Sequence, residues 1–220
     1  MNLQENISRI KQMMGILTEE ENISISDMVK KDQEMRQNDD FNFEIDFSNQ
    51  KQVKQMMGED PNKFLQSLDS VEDVEGIWLI AQHADNDTEF QKQVLDLLEN
   101  NGEFLSDKFK IPLTTVLNRI AMLRDRIMIN NTTSVEGLRD NGKDDFGSVK
   151  NGKQKYGTQG GVYENGWVPR PIEMNGKVYF FNTPEELYRS EKFLNQINKI
   201  RGEVGLPNLE EYVKQMQKHV

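Results

Sequence analysis

The stretch from Trp78 to Gln91, WLIAQHADNDTEFQ, constrains the fold most, because helical spacing carries polar groups onto its apolar side. The predicted buried stripe runs through Ile80, Ala84, Asp87, Gln91, Val94 and Leu98. Burying a neutral polar group without a hydrogen bond costs about 2–7 kcal/mol, and burying an unpaired charge costs more. We therefore expect Asp87 and Gln91 to have partners elsewhere in the chain.

The composition predicts one sizeable core and excludes several kinds of site. The chain has 220 residues, of which 35% are hydrophobic and 29% charged. Cysteine is absent, so disulfides, thiolate metal sites and thiol nucleophiles are excluded. Residues 1–100 carry 22 acidic against 9 basic side chains, which argues against nucleic acid as a partner. Because no run of about 18 apolar residues and no secretory apolar region occurs, we expect a soluble, cytoplasmic protein without a membrane partner.

The first 22 residues predict a short amphipathic helix or a leader. An apolar stripe at helical spacing runs through Leu3, Ile7, Ile10, Met14 and Leu17. One interpretation is a helix that docks on the body or frays. The stretch also resembles the capsid-targeting leaders of internal head proteins in large tailed phages, which are cut after a Leu-x-Glu pattern such as Leu17-Thr18-Glu19. That resemblance implies capsid association through residues 1–19, with packaging inside a phage head as the alternative location.

Capping and spacing signals predict a mainly α-helical single domain over residues 23–220. Ser24 or Ser26 can cap the first helix, and Ser70 can cap the central one, which Asn100, Asn101 and Gly102 would stop. The predicted helices span about 25–36, 50–57, 62–68, 71–99, 113–129, 183–201 and 209–216. Residues 37–52 alternate phenylalanine with polar side chains, so a short strand and an irregular segment remain alternatives.

Glycine-rich and asparagine-rich stretches mark the parts of the chain that are not helical. Asn175-Gly176 between apolar arms predicts a small β-hairpin with a type I′ turn. Residues 130–152 predict a mobile insertion. The glycines of Lys153–Gly161 predict a tight loop that presents Tyr156, Thr158 and Gln159.

Five short blocks share one order with a known family. They are DQEMR from Asp32, QHADND from Gln82, DR at Asp125, KQKYGTQ ending at Gln159, and RGEVGLPNLEEY from Arg201. In this order they resemble an uncharacterised bacterial family of domains of unknown function, over roughly residues 28–212. The insertion 130–152 and the segment 171–200 are longer than the family's connections. The resemblance implies a shared site but brings no reaction with it.

If the blocks converge, they build one polar pocket. We predict catalytic roles for His83, Asp87 and Asp125, with His83 as the general acid or base because it titrates near neutrality. The predicted ligand-binding residues are Asp32, Arg36, Gln82, Asp85, Gln91, Arg126, Tyr156, Thr158 and Gln159. Within this set the two arginines could clamp a carboxylate or phosphate, which makes a small anionic ligand the expected partner.

A metal site and a purely structural network are the alternatives to this pocket. His83, Asp85 and Asp87 form a set of donors suited to a divalent ion. On one helix, however, positions 83 and 85 diverge by about 200°, so we predict no metal ligands, and the cofactor is left open. A buried Asp–Arg–His network could also serve only to hold helices together.

Two functions from different classes follow. The leading hypothesis is an enzyme-like small-ligand site centred on His83, with hydrolysis as the reaction class considered. The competing hypothesis is a phage virion or accessory protein that uses the domain as a structural or protein-binding module.

Overall fold

The fold is mainly α-helical, as the sequence predicts, and the computed structural model describes residues 23–37, 43–131, 153–163 and 166–219. The predicted helix or leader at the N-terminus and nearly all of the predicted insertion lie outside these ranges. The helices are α1 (Ile25–Gln37), α2 (Phe43–Met57), α3 (Pro61–Ser67), α4 (Val71–Gln82), α5 (Thr88–Phe109), α6 (Leu113–Asn131), α7 (Pro184–Tyr188), α8 (Glu191–Glu203) and α9 (Leu209–Met216), with a final 3-10 turn at Gln217–His219. None of the helices within the described ranges is long and apolar enough to cross a membrane.

Helices α1 to α6 surround the larger of the two main hydrophobic cores of the described residues. Phe90, Leu105 and Leu123 are fully buried in it, and α5 packs along α6. The predicted caps are confirmed here: the Ser24 hydroxyl accepts from Asp27 N at 3.1 Å and the Ser70 hydroxyl from Asp73 N at 3.1 Å. These caps satisfy backbone donors that have no partner in the first helical turn.

A smaller core forms from the C-terminal third of the chain. Two antiparallel hairpins, β1 (Gly160–Tyr163) with β2 (Gly166–Pro169) and β3 (Ile172–Met174) with β4 (Lys177–Tyr179), pack with α7, α8 and α9. At the β3–β4 turn Asn175 has φ 54° and Gly176 has φ 73°. Positive φ at both central residues is the type I′ geometry, so the predicted hairpin is confirmed.

Several predicted boundaries are wrong. The predicted central helix is two helices, because α4 ends at Gln82 and α5 begins at Thr88. The predicted stop at Asn100–Gly102 does not occur, because α5 continues to Phe109. Within it the side-chain amide of Asn101 donates to Leu97 O at 2.8 Å. It ends at Lys110, whose φ of 55° places it in the left-handed region.

Three further elements differ from the sequence prediction. Most of the 37–52 segment, expected to be irregular or extended, is the first half of α2. The predicted helix 183–201 is interrupted at Ser190, so α7 and α8 are separate. The hairpin of β1 and β2 is not predicted by the pattern of apolar residues.

Candidate functional site

The candidate site is built around a five-residue turn, His83–Asp87, which we call the 83–87 turn. His83 is the C-cap of α4, and the Asp87 carboxylate caps α5 by accepting from Phe90 N at 3.0 Å. The prediction that Asp87 lies on the buried stripe of one continuous helix is therefore wrong. An N-cap aspartate lies just before the helix whose first backbone N–H groups it binds. Gln91, one turn into α5, is fully buried as predicted.

His83 lies in a cluster of charged side chains from three helices, which we call the His83 cluster: Asp32, Arg36, Asp46 and His83. The His83 Nδ1 atom is 2.9 and 3.0 Å from the two Asp32 carboxylate oxygens. Arg36 Nε donates to Asp32 Oδ1 at 3.2 Å, and its Nη2 donates to Asp46 Oδ1 at 2.9 Å. Spacing alone suggests a solvated pair for Asp32 and Arg36, which is wrong because Asp32 is buried.

The geometry around Nδ1 selects one tautomer of His83. Arg36 Nε also approaches Nδ1, at 3.0 Å, but one ring nitrogen cannot both accept from Arg36 and donate to Asp32. An ionised carboxylate at 2.9 Å is the stronger partner, so we assign the proton to Nδ1 and the Arg36 hydrogen bond to Asp32. The Nε2 atom has no hydrogen bond to any other described residue, and the His83 side chain is 20% exposed.

The pKa values of Asp32 and Asp46, the two carboxyl groups beside Arg36, shift in opposite directions. Burial raises the pKa of Asp32, but the hydrogen bond and charge of His83, together with Arg36 and Gln33, outweigh it and leave that pKa below its ordinary value. Burial also raises the pKa of Asp46, and here the attraction of Arg36 does not compensate, so that pKa stays above its ordinary value. Asp32 is thus the carboxylate that holds a negative charge beside the imidazole ring.

The middle of the 83–87 turn contacts helix α6 and the loop before β1. Arg126 binds both Asp85 carboxylate oxygens and donates through Nη1 to Gln159 Oε1 at 3.0 Å. Asn130 links Asp85 Oδ1 at 3.0 Å to the buried Gln91 Oε1 at 3.1 Å. Arg126 is thus in direct contact with Asp85, 41 residues before it, and with Gln159, 33 residues after it.

The end of the turn is held by helix α2. Gln50 Nε2 donates to Asn86 Oδ1 at 3.0 Å, and Lys54 forms an ion pair with Asp87. Burial would raise the pKa of Asp87, but the hydrogen bonds from Lys54 and from Phe90 N, and the Lys54 charge, lower it overall. Each polar side chain of the turn is thus bonded to another part of the fold.

A second polar region lies between the two hydrophobic cores, and we call it the buried junction: Asp125, Arg201 and the loop Gln154–Gln159. Asp125 accepts from Lys155 N at 2.8 Å, Tyr156 N at 3.0 Å, Thr158 N at 3.0 Å and the Thr158 hydroxyl at 2.9 Å. Burial raises the pKa of Asp125, and these hydrogen bonds oppose the shift. This carboxyl is fully buried and its acceptor capacity is used by the loop, which does not suit the catalytic role predicted for it.

Arg201 completes the buried junction. Its Nε donates to Pro207 O at 2.7 Å, its Nη1 donates to Tyr156 O, and its Nη2 is buried without a hydrogen-bond partner among the described residues. Burial lowers the pKa of Arg201 to about 10. The Tyr156 side chain is buried, and its backbone N–H and carbonyl are bonded to Asp125 and Arg201, which does not suit the ligand-binding role predicted for it.

The predicted residues therefore fall into three groups. Asp32, Arg36 and His83 meet around the imidazole, Asp85, Gln91, Arg126 and Gln159 meet at the middle of the 83–87 turn, and Asp125, Tyr156 and Thr158 belong to the buried junction. Asp87 lies apart from these groups, paired with Lys54 at the end of the turn. Gln82 is buried, and its Nε2 has no partner in the described part of the chain. The sequence does not single out Asp46, Lys54, Asn130 or Arg201; for Arg201 the available signal was its place at the start of the fifth block.

Within the described ranges, no group of three histidine, aspartate or glutamate side chains is arranged to hold a metal ion. Comparison of the chain with protein-family models, with curated proteins and with solved structures finds no match.

Proposed function

We propose that the 83–87 turn forms a small-ligand site in which His83 transfers a proton to or from the bound molecule. One observation carries this proposal: buried Asp32 holds Nδ1 of His83, while Nε2, on a ring that is partly exposed, has no hydrogen bond within the described part of the chain. A carboxylate that fixes the tautomer and orientation of an imidazole also stabilises the imidazolium that forms when Nε2 accepts a proton. Such a histidine can act as a general base toward water or a hydroxyl group, which supports hydrolysis as the reaction class.

The charges around the turn disfavour an anionic ligand. Four carboxylates, Asp32, Asp46, Asp85 and Asp87, are paired with three cations, Arg36, Arg126 and Lys54. With His83 neutral these seven groups sum to a net charge of −1, and each cation already has a carboxylate partner. An anion would compete with those carboxylates, so the anionic ligand expected from the two arginines is less well supported than a neutral polar molecule.

The tautomer can be tested in a protein with a single histidine. The chain has two histidines, so His219→Gln leaves His83 as the only source of imidazole signals. Long-range ¹H–¹⁵N NMR of this variant should show the Nδ1–H tautomer near neutral pH. Asp32→Asn should disturb that preference, whereas Asp96→Asn, at an exposed position on α5, should not. A dominant Nε2–H tautomer would remove the basis of the proposal.

Ligand binding can be tested by thermal stability. The protein is screened against nucleosides, neutral sugars, sugar phosphates and divalent ions, and a ligand at 100 times its Kd should stabilise the fold by about 2.7 kcal/mol. His83→Ala should abolish the shift of any hit while lowering the unliganded melting temperature by less than Asp32→Ala does, because Arg36 and Gln33 still bind the Asp32 carboxylate. A hit that survives in His83→Ala would place the ligand elsewhere.

A structural or protein-binding module is the second candidate, and one observation favours it. The polar side chains of the turn bond to α1, α2 and α6, which is how a network that only holds helices together would look. This candidate predicts that His83→Ala lowers the melting temperature as much as Asp32→Ala does and that no screened compound shifts it. The two candidates therefore predict different results for His83→Ala. The small-ligand site predicts loss of ligand binding, and the structural module predicts loss of stability without any ligand.

A further inference from the structure

Asp46 is a buried carboxyl group of the His83 cluster to which the proposed proton transfer assigns no part. It is 8% exposed and lies in the first turn of α2. Arg36 Nη2 donates to its Oδ1 at 2.9 Å, while Nε of the same guanidinium donates to Asp32 Oδ1 at 3.2 Å. One arginine therefore lies between two carboxyl groups, and of these two Asp32 is the one bonded to the His83 ring.

The contacts of Arg36 limit how far Asp46 can lie from the imidazole. Arg36 Nε is 3.0 Å from His83 Nδ1, and Arg36 Nη2 is 2.9 Å from Asp46 Oδ1. Because the guanidinium is a rigid planar group, this Asp46 oxygen lies within about 8 Å of Nδ1. In a site that is only partly open to solvent, two unit charges at that separation influence each other's protonation.

Two features favour the ionised form of Asp46. Arg36 pairs with it directly, and its position in the first turn of α2 lies near the positive end of the helix dipole. Burial raises the pKa of Asp46 above its ordinary value, although the charges of Arg36 and His83 oppose the shift. The effect of His83 is reciprocal, since a positive ring that favours ionised Asp46 is itself favoured by ionised Asp46.

The charges of the His83 cluster balance when the ring takes up a proton. With His83 neutral, Asp32, Arg36 and Asp46 sum to a net charge of −1, and an imidazolium brings the sum of the four groups to zero. The other charged side chains that bind at the turn come from the turn itself, α2 and α6 and form two ion pairs: Asp87 with Lys54, and Asp85 with Arg126. These pairs add no net charge, so the charge of Asp46 is the one that a protonated ring offsets.

We propose that Asp46 is a positioning residue of the His83 site, whose negative charge, acting across Arg36, sets how readily His83 accepts a proton at Nε2. This inference rests on the proposed function of the 83–87 turn and adds the residue that adjusts the strength of its base. Asp32 selects the tautomer by direct contact with Nδ1, whereas Asp46 is bonded to Arg36. Removal of the Asp46 charge should therefore change the proton affinity of the ring and leave its tautomer as it is.

Asp46→Asn tests the charge, because asparagine keeps an oxygen acceptor for Arg36. In the His219→Gln protein, an NMR titration gives the pH midpoint at which the His83 ring is protonated. Asp46→Asn should lower this midpoint by about 0.5–1 pH unit, the size expected when one charge about 8 Å away is removed. The neutral ring should remain in the Nδ1–H form.

Two further variants serve as controls in the same background. Asp46→Glu changes the length of the side chain but keeps its charge, so it should move the midpoint less than half as far as Asp46→Asn does. Asp96→Asn removes a carboxylate at an exposed position on α5 and should leave the midpoint unchanged. A residue that served only to pack α2 would respond to the change of length as well as to the loss of charge.

The outcomes distinguish this inference from the proposed function. If the parent protein shows the Nε2–H tautomer, the proposed function fails and the role of Asp46 fails with it. If the tautomer is Nδ1–H but Asp46→Asn leaves the midpoint unchanged or raises it, the role of Asp46 alone is overturned. A midpoint that moves as far in Asp46→Glu as in Asp46→Asn, or an Asp46→Asn protein that does not fold, would show that Asp46 only holds α2 against α1, and this too overturns the inference.

Discussion

The His83 cluster and the buried junction both contain charged side chains inside the fold, but they are satisfied by different partners. In the buried junction, Asp125 and Arg201 are fully buried, and their hydrogen bonds go almost entirely to the backbone of the loop Gln154–Gln159 and of Pro207. In the His83 cluster the charged side chains bind one another, and one ring nitrogen has no hydrogen bond to a described residue. The junction is therefore suited to hold the two cores together, and the cluster is compatible with the proton transfer that we propose for it.

The two regions also respond to pH in opposite directions. The pKa of Asp125 is raised by burial, so its contribution to stability is full below the ordinary value of 3.8 and is lost as pH rises through the folded pKa. The pKa of Asp32 is lowered by His83 and Arg36 despite burial, so its contribution is full above 3.8 and is lost as pH falls through the folded pKa.

Removing the junction carboxylate should have the largest effect on stability. Asp125→Ala leaves four donors of Lys155, Tyr156 and Thr158 without their acceptor. Each buried unsatisfied group costs about 1–3 kcal/mol, so the free energy of unfolding should fall by about 4 kcal/mol or more. Urea unfolding measures the change, with Asp96→Ala at an exposed position as the control. A loss below about 1 kcal/mol would show that the junction does not hold the fold together.

Removing the junction cation should cost somewhat less. Arg201→Met keeps most of the side-chain volume but leaves the Pro207 and Tyr156 carbonyls without their donors. The expected loss is about 2–5 kcal/mol for two buried acceptors. The same urea measurement applies, and Arg189→Met, at an exposed position, should change stability by less than about 0.5 kcal/mol. Equal effects of the two substitutions would contradict the role assigned to Arg201.

The smallest effect should come from the His83 cluster and should depend on pH. Asp32→Asn keeps the shape of the side chain but weakens its hydrogen bonds to charged groups, which are worth about 1.5–3 kcal/mol each. At neutral pH the variant should therefore lose about 1–3 kcal/mol, and this difference should shrink as pH falls below 3.8. Unfolding is measured at several pH values down to the acid limit of the fold. A difference that stays constant or grows toward acid would show that the pKa of Asp32 is not lowered.

Local signals predicted several elements correctly because they depend on short stretches of chain. Ser70 caps a helix by bonding to a residue three positions later, and Asn175-Gly176 forms a turn because both residues accept positive φ. The exposed Phe43 and Phe47 misled the prediction, since their alternation with polar side chains imitates a strand while the residues in fact belong to α2. The buried face of α2 instead carries Asp46, Asn49 and Gln50, whose burial depends on partners in other elements.

The break at the 83–87 turn shows the main limit of periodicity. The apolar positions continue at helical spacing on both sides, so the pattern alone predicts one helix through His83 and Asp87. Asp87 begins a new helix by capping Phe90 N, three residues away, and the periodic pattern hides this local signal. The expected meeting of the QHADND block with Asp32, Arg36 and Arg126 came from the order of the five blocks. The cost of burying polar groups predicted only that Asp87 and Gln91 have partners, which are Lys54 and Asn130. The partners Asp46, Lys54 and Asn130 could not be chosen from among the many equivalent polar side chains.

The contacts that shape the 83–87 turn are distant in sequence, and this bears on the order in which the chain folds. His83 bonds to a residue 51 positions away, Asp85 to one 41 positions away and Asp87 to one 33 positions away. Closing such long loops carries an entropy cost that local helices do not incur, so the turn should acquire its shape late, after α1, α2 and α6 have assembled. A nascent or partly unfolded chain would accordingly have its helices before it has a correctly oriented imidazole.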